Sequence, residues 1–151
     1  MFVFLMTACG EPKGEGGDVD SGVVPYEAEL LDLEEALEGY ESWNQLPDWE
    51  GIQASDTSHD NYTEIWFNDI AWDTLQAAAG EDMPDGAVIA KQSYKDEAGA
   101  ELANFTVMMK TDGEWFWAAF NPAGENVQAG QPSFCVDCHA PGQDSVLVTT
   151  W

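Results

Sequence analysis

A five-residue segment near the C-terminus most constrains what this chain can fold into. Residues 135–139 read Cys-Val-Asp-Cys-His. The thiols of such a segment can add across the vinyl groups of a haem, because two intervening residues give the sulfur atoms the separation of those vinyls, and the next imidazole can reach the iron. We therefore predict one covalent haem c, attached through Cys135 and Cys138 and ligated by His139.

The cysteine pair also allows two other interpretations. A thioredoxin-like redox pair normally follows a strand and opens a long helix, whereas Pro132 precedes the segment and Pro141 follows it almost at once. A structural zinc site needs four ligands, and outside the segment the chain offers only His59 and no second cysteine pair. Both alternatives are disfavoured.

The third cysteine, Cys9, follows a short apolar run that ends in small residues. This pattern is typical of a bacterial lipoprotein signal, whose cysteine is lipidated after cleavage. No basic residue precedes the run, which a truncated start would explain; the alternative is a chance apolar N-terminus. We expect an exported, periplasmic protein with residues 1–9 as a signal remnant and a lipid anchor on Cys9 as its only contact with a membrane.

Composition separates a tether from a single domain. Residues 10–25 are rich in Gly, Glu and Asp, which predicts an acidic flexible tether, because so little apolar surface cannot offset the entropy of ordering. Residues 26–151 are long enough for one haem-binding domain with a hydrophobic core. The chain has 7 Trp and is 44% hydrophobic, so apolar area is available to pack against a flat cofactor.

The charge is strongly acidic. Against 29 Asp and Glu there are only 4 basic side chains, all lysine, for a formal net charge of -25. Such a charge repels polyanions, so we do not expect nucleic acid as a partner. A solvated surface is the favoured explanation, and a docking face for a basic redox partner is the second hypothesis.

The hydrophobic pattern predicts an α+β fold, an antiparallel β-sheet with a few packed helices. Apolar spacings of three and four predict an amphipathic helix over residues 26–43, and a second helix is predicted over 71–79, closed by Gly80. Strands are predicted at Tyr62–Phe67, 86–94, 102–110 and Glu114–Phe120. Short turns make the last three strands antiparallel neighbours, and residues 121–132 are predicted to form an irregular loop leading to the haem segment.

The ligand on the other side of the iron separates electron carriers, which use Met or His, from gas-binding or catalytic haems. The candidate methionines are Met83, Met108 and Met109. The last two are adjacent in a predicted strand, where successive side chains face opposite ways. At least one of them is therefore expected to pack in the core.

Two further side chains stand out, Lys91 and His59. Period-two alternation places Lys91 on the same strand face as Ala87 and Ile89. The residues alone favour a lysine that extends to solvent over a functional amine near an electron-poor group. His59 is either a loop imidazole without a role, which the residues favour, or a group facing the distal side or propionates of a haem.

The order and spacing of the motifs resemble the cytochrome P-460 family, which also includes the gas-binding cytochromes c′-beta. The haem segment alone is shared by many cytochromes, so the upstream stretch 84–91, Pro-Asp-Gly-Ala-Val-Ile-Ala-Lys, makes the resemblance specific. Further matches, within a resemblance covering about residues 40–151, are residues 40–43, 62–68, 107–110 and Asp144. The resemblance implies a small antiparallel sheet with helices, often a homodimer, and a five-coordinate haem with His139 proximal.

The resemblance also implies a role for Lys91. In the catalytic branch the matching lysine is bonded to the porphyrin edge, and those enzymes oxidise hydroxylamine to nitrous oxide or nitric oxide; the gas-binding branch lacks this bond. Lys91 therefore favours a hydroxylamine-oxidising haem oxidoreductase. The catalytic branch uses a distal carboxylate as proton acceptor, and no acid occurs among residues 131–134.

Two alternative functions stay open. The first is nitric oxide binding without turnover, with an aromatic side chain such as Trp66, Phe67 or Phe134 covering the distal face. The second, less favoured, is electron transfer with a methionine ligand.

Overall fold

The computed structural model describes residues 26–59, 61–77 and 81–147. The predictions for residues 1–9, for the tether over 10–25, for Cys9 and for Gly80 lie outside these ranges. Within the described part of the chain, no helix is long and apolar enough to cross a membrane.

Over the residues that the structure describes, six strands form one antiparallel sheet in which each strand pairs with the next along the sequence. They are β1 (Gln53–Ala54), β2 (Tyr62–Phe67), β3 (Val88–Tyr94), β4 (Leu102–Thr111), β5 (Glu114–Phe120) and β6 (Asn126–Gly130). The turn between β4 and β5 shows how a short local sequence can specify the pairing of two strands. Asp112 and Gly113 have φ of 51° and 77°, the left-handed pair whose twist matches a tight hairpin. The predicted α+β fold with an antiparallel sheet is confirmed.

The strand predictions differ in accuracy. Tyr62–Phe67 and Glu114–Phe120 are confirmed at both ends, and the other two predicted strands shift by up to two residues. The irregular loop predicted over residues 121–132 is wrong, because β6 pairs with β5 there. Within the described ranges β6 pairs with one strand, β5, and Val127 is 62% exposed, so main-chain pairing forms this strand without an alternating hydrophobic pattern. The two-residue β1 was missed for the same reason.

Among the described residues, three α-helices accompany the sheet: α1 (Glu27–Ala36), α2 (Asp69–Ala77) and α3 (Ser133–His139). The first helix is shorter than the predicted 26–43, because Gly39 takes a left-handed φ of 72° and a 3-10 turn follows. α2 begins earlier than predicted, because the Asn68 side chain accepts a hydrogen bond from the Ala71 N–H at 3.0 Å and so caps the helix.

The helices cover opposite faces of the sheet. α1 covers the face that we call the α1 face, where Leu33 is 1% exposed and packs with Val88, Val107 and Phe116. α2 and α3 cover the other face, the α3 face, whose core includes Phe67, Ile89, Met108, Trp117 and Val146. Met108 lies on the α3 face and Met109 on the α1 face, and both are buried. The prediction that at least one of them packs in the core is confirmed.

Candidate haem-attachment site

Helix α3 carries the two cysteines on one side. A spacing of three residues brings side chains onto the same helix face, and Cys135 and Cys138 are both half-buried thiols. Cys135 and Val136 pack against the core of the α3 face. Burial raises the pKa of the Cys135 thiol, and the positive charge of Lys91 opposes this change. The pair is thus presented along the apolar surface between helix and sheet.

His139, at the end of α3, is held in one orientation. Its Nδ1 lies 2.9 Å from the main-chain oxygen of Ser145, and a carbonyl can only accept, so Nδ1 carries the proton. The ring meets the Trp117 ring edge-on, with 4.7 Å between centroids. Burial lowers the pKa of His139. The hydrogen bond to Ser145 raises this pKa, and the positive charge of Lys91 lowers it. A neutral imidazole with a free Nε2 lone pair is the form that ligates a metal.

Lys91 lies on the α3 face of β3, paired with Ile65 on one side and Thr106 on the other. It is half-buried. Burial lowers the pKa of its amine to about 7, and the charges of Cys135 and Cys138 act in the opposite direction. The lysine therefore lies near the attachment segment, in a setting where a neutral amine is favoured.

His59 joins the same group of side chains from the loop between β1 and β2. Its ring centroid is 6.1 Å from that of His139, at an interplanar angle of 79°. Burial, followed by the charges of Lys91 and His139, lowers the pKa of His59 to about 3. The predicted loop position is found, and this loop brings the imidazole next to the candidate iron ligand.

The aromatic candidates for the distal side divide between the faces. Trp66 pairs with Ala90 and packs on Tyr40, with 5.3 Å between ring centroids, so it lies on the α1 face. The hypothesis that Trp66 covers the haem is therefore wrong, because adjacent strand residues point to opposite faces. Phe67 lies in the core of the α3 face, and Phe134 is 37% exposed on α3.

The ion pair between Lys110 and Asp144 was not predicted from the sequence. The Lys110 Nζ donates to both carboxylate oxygens of Asp144, at 2.8 and 2.9 Å. Both side chains are shielded, with 8% and 14% exposed. Alternation along β4 could have placed Lys110 on the face of Met108, but the partner is 34 residues away and no local pattern identifies it.

The residues present fit a haem c. Two thiols share one helix face, a neutral imidazole directs one nitrogen away from its hydrogen-bonded side, and the surrounding surface is apolar and aromatic. Within the described ranges, no three His, Cys, Asp or Glu side chains are grouped to hold a metal ion. The fold and site together define a c-type haem protein with an antiparallel sheet behind its attachment helix.

Comparison with known families agrees with this class. The sequence model of the Cytochrome P460 family matches residues 37–150. The chain therefore belongs to the cytochrome P460 family and is a c-type haem cytochrome, which confirms the resemblance and the haem c cofactor. A comparison with curated proteins finds no match.

Proposed function

We propose that this protein is a mono-haem cytochrome of the P-460 type that oxidises hydroxylamine with a five-coordinate haem bonded to Lys91. The observation that carries this proposal is the position of Lys91. Its amine lies on the α3 face and interacts electrostatically with Cys135, Cys138 and His139. The one lysine that the family resemblance singles out therefore lies within electrostatic range of all three groups that would hold a haem.

The setting of Lys91 suits bond formation. Burial lowers the pKa of the amine to about 7, so near neutral pH a large fraction carries the lone pair that a nucleophile needs. A bond between Nζ and the porphyrin edge replaces one N–H and one C–H hydrogen. Its formation therefore also needs a two-electron oxidant, for which a peroxide is the chemical class that we propose.

When bound, the haem would accept electrons from hydroxylamine. Conversion of two hydroxylamine molecules to one nitrous oxide and one water releases four electrons and four protons, so an external electron acceptor and a proton acceptor are required. Burial lowers the pKa of His59 to about 3 and its ring contacts that of His139, so we propose that His59 packs beside the iron ligand and that solvent water accepts the protons.

A specific observation favours the second candidate, nitric oxide binding without turnover. The cross-strand row through Lys91 on the α3 face contains Ile65, Thr106, Ala119 and Gln128. Among the residues described, this row has no carboxylate to accept protons. Electron transfer with a methionine ligand is a third candidate, for which Met108 on the α3 face would be the residue to test.

The optical spectrum of the ferrous protein tests the first proposal. We expect a strongly red-shifted main band in wild type and its loss in Lys91→Ala. The control is Lys95→Ala, because Lys95 follows β3 directly and its side chain is 54% exposed. An unchanged spectrum in Lys91→Ala would contradict the crosslink, and sharp six-coordinate bands would favour a methionine ligand.

Turnover separates the enzyme from the binding protein. Wild type supplied with hydroxylamine and a one-electron acceptor should reduce the acceptor and release nitrous oxide. No turnover, together with saturable nitric oxide binding by the ferrous protein, would reject the enzyme and support the binding candidate.

Location and partners complete the proposal. We propose export to the periplasm with a lipid on Cys9, a basic redox partner that meets the acidic surface, and a homodimer. The net charge of -25 supports the basic partner. Mass spectrometry of membrane-associated protein tests the lipid, and light scattering tests the dimer.

A further inference from the structure

We propose that Lys110 and Asp144 are positioning residues for the iron ligand: their ion pair fixes the loop whose Ser145 carbonyl orients His139. This inference rests on the haem ligation in the proposed function and deepens it. Neither side chain is assigned contact with the haem, so their effect would be transmitted through the imidazole.

Several hydrogen bonds from distant parts of the chain converge on Asp144. Its carboxylate accepts from Lys110 Nζ at 2.8 and 2.9 Å and from the Met83 N–H at 2.9 Å. Its main-chain oxygen accepts from the Trp115 indole N–H at 2.7 Å. Lys110 Nζ also lies 5.2 Å from the centre of the Trp115 ring. Strands β4 and β5 and the segment before β3 therefore all hold this one residue.

The loop after α3 has a tight, left-handed backbone. Asp144 and Ser145 have φ of 43° and 63°, the left-handed region that side-chain-bearing residues rarely adopt. A Cβ on Gly142 would lie 2.5 Å from the Val146 oxygen, so the loop closes tightly on itself. Val146 is buried on the α3 face. Contacts with the rest of the fold must hold such a conformation, and the bonds to Asp144 supply them.

The same loop contacts the candidate iron ligand. The residue after Asp144 is Ser145, whose carbonyl lies 2.9 Å from His139 Nδ1. A hydrogen bond from Nδ1 to a carbonyl fixes the ring plane and makes the imidazole a stronger donor to a metal. Because the ion pair and the carbonyl belong to adjacent residues, loss of the pair should move the carbonyl and weaken this bond.

The experiment compares matched lysine variants of the haem-loaded protein. Lys110→Met removes the buried ammonium, and Lys95→Met removes an ammonium from the exposed pair with Glu101, whose side chains are 54% and 64% exposed. We expect Lys110→Met to shift the iron–histidine stretching band of the ferrous protein to lower frequency in resonance Raman and to raise the midpoint potential. Lys95→Met should leave both at the wild-type values.

Asp144→Asn provides the second variant, in case Lys110→Met does not fold. It retains the size and the main-chain bond to Trp115 while removing the charge, so we expect a smaller shift in the same direction. Lys110→Arg retains a cation and should restore part of the wild-type frequency.

Two outcomes would overturn the inference in distinguishable ways. Folded Lys110→Met and Asp144→Asn proteins with the wild-type iron–histidine frequency would reject the positioning role and leave His139 ligation intact. A wild-type ferrous protein with no iron–histidine band would reject the five-coordinate, His139-ligated haem of the proposed function, and both proposals would fail with it.

Discussion

The two faces of the sheet are built from similar apolar side chains but differ in their polar content. All the buried polar or charged residues of the described ranges, Thr63, Ser93 and Lys110, lie on the α3 face, as strand alternation and register show. Lys91 is on the same face. The α1 face instead has an apolar cluster centred on Leu33, Val88 and Val107, with aromatic rings beside it.

This difference indicates that the two faces of the sheet have different roles, one in the site and one in stability. Burial of polar groups costs stability unless they are hydrogen-bonded or paired, so their concentration on one face indicates that this face serves the site. The α1 face supplies stability by burial of apolar area alone. A change on the α1 face should therefore alter folding without altering the haem, whereas a change on the α3 face should alter both.

The largest expected effect is on the haem itself. Replacement of both Cys135 and Cys138 by alanine should abolish covalent haem, because each thioether needs its own sulfur atom. Haem staining of denatured protein after electrophoresis measures the loss, with Leu33→Ala as the α1-face control that retains the stain. Covalent haem in the double variant would contradict the attachment site.

The next largest effect is on stability from the α1 face. Leu33 is 1% exposed, so Leu33→Ala should lower the free energy of unfolding by about 3 kcal/mol through lost burial and a cavity. Urea denaturation measures this change. The visible spectrum of the folded variant should stay as in wild type, and an altered haem spectrum would contradict the separation of the two faces.

A smaller effect is expected from the buried ion pair on the α3 face. The Asp144 side chain is only 14% exposed, and Lys110→Met removes the cation that is paired with its carboxylate. The Met83 N–H still donates to that carboxylate. We expect a loss of about 2 kcal/mol in the free energy of unfolding. The exposed pair is the comparison, and Lys95→Met should cost at most about 0.5 kcal/mol. Equal losses of unfolding free energy in the two variants would show that the buried Lys110–Asp144 pair stabilises the fold no more than the exposed pair does.

The smallest effect is a pH dependence on the α1 face. Burial, together with the negative charge of Glu64, raises the pKa of Tyr94 from its ordinary value near 10.0 to about 12. Because the folded state retains this proton more tightly, the contribution to stability is fully present below pH 10 and is lost as the pH rises towards about 12. Tyr94→Phe should therefore show a shallower fall in unfolding free energy over this range, measured by urea titration at several pH values. An equally steep fall would assign the alkaline transition to other groups.

Several elements were predictable because their signals are local. β2 and β5 were predicted at both ends, since their aromatic and β-branched residues favour strands, and the Asp112-Gly113 turn specifies a hairpin by its backbone preferences. β6 was missed because its side chains are largely exposed, so its pairing follows from its neighbour and leaves no pattern in the sequence. The early end of α1 depended on Gly39, which an apolar periodicity alone does not reveal.

In the candidate site, too, some features follow from the local sequence and others only from contacts between distant residues. The spacing of Cys135, Cys138 and His139 by itself determined the expected cofactor chemistry, because that chemistry depends on neighbouring residues in one short segment. Alternation by itself determined that Lys91 shares a face with Ile89.

Only the tertiary structure decided which distant side chains meet that segment. The β1–β2 loop brings His59 to His139, the strand register separates Trp66 from Phe67, and the loop after α3 joins Asp144 to Lys110. These contacts depend on how loops close and strands align over tens of residues, which no local spacing encodes.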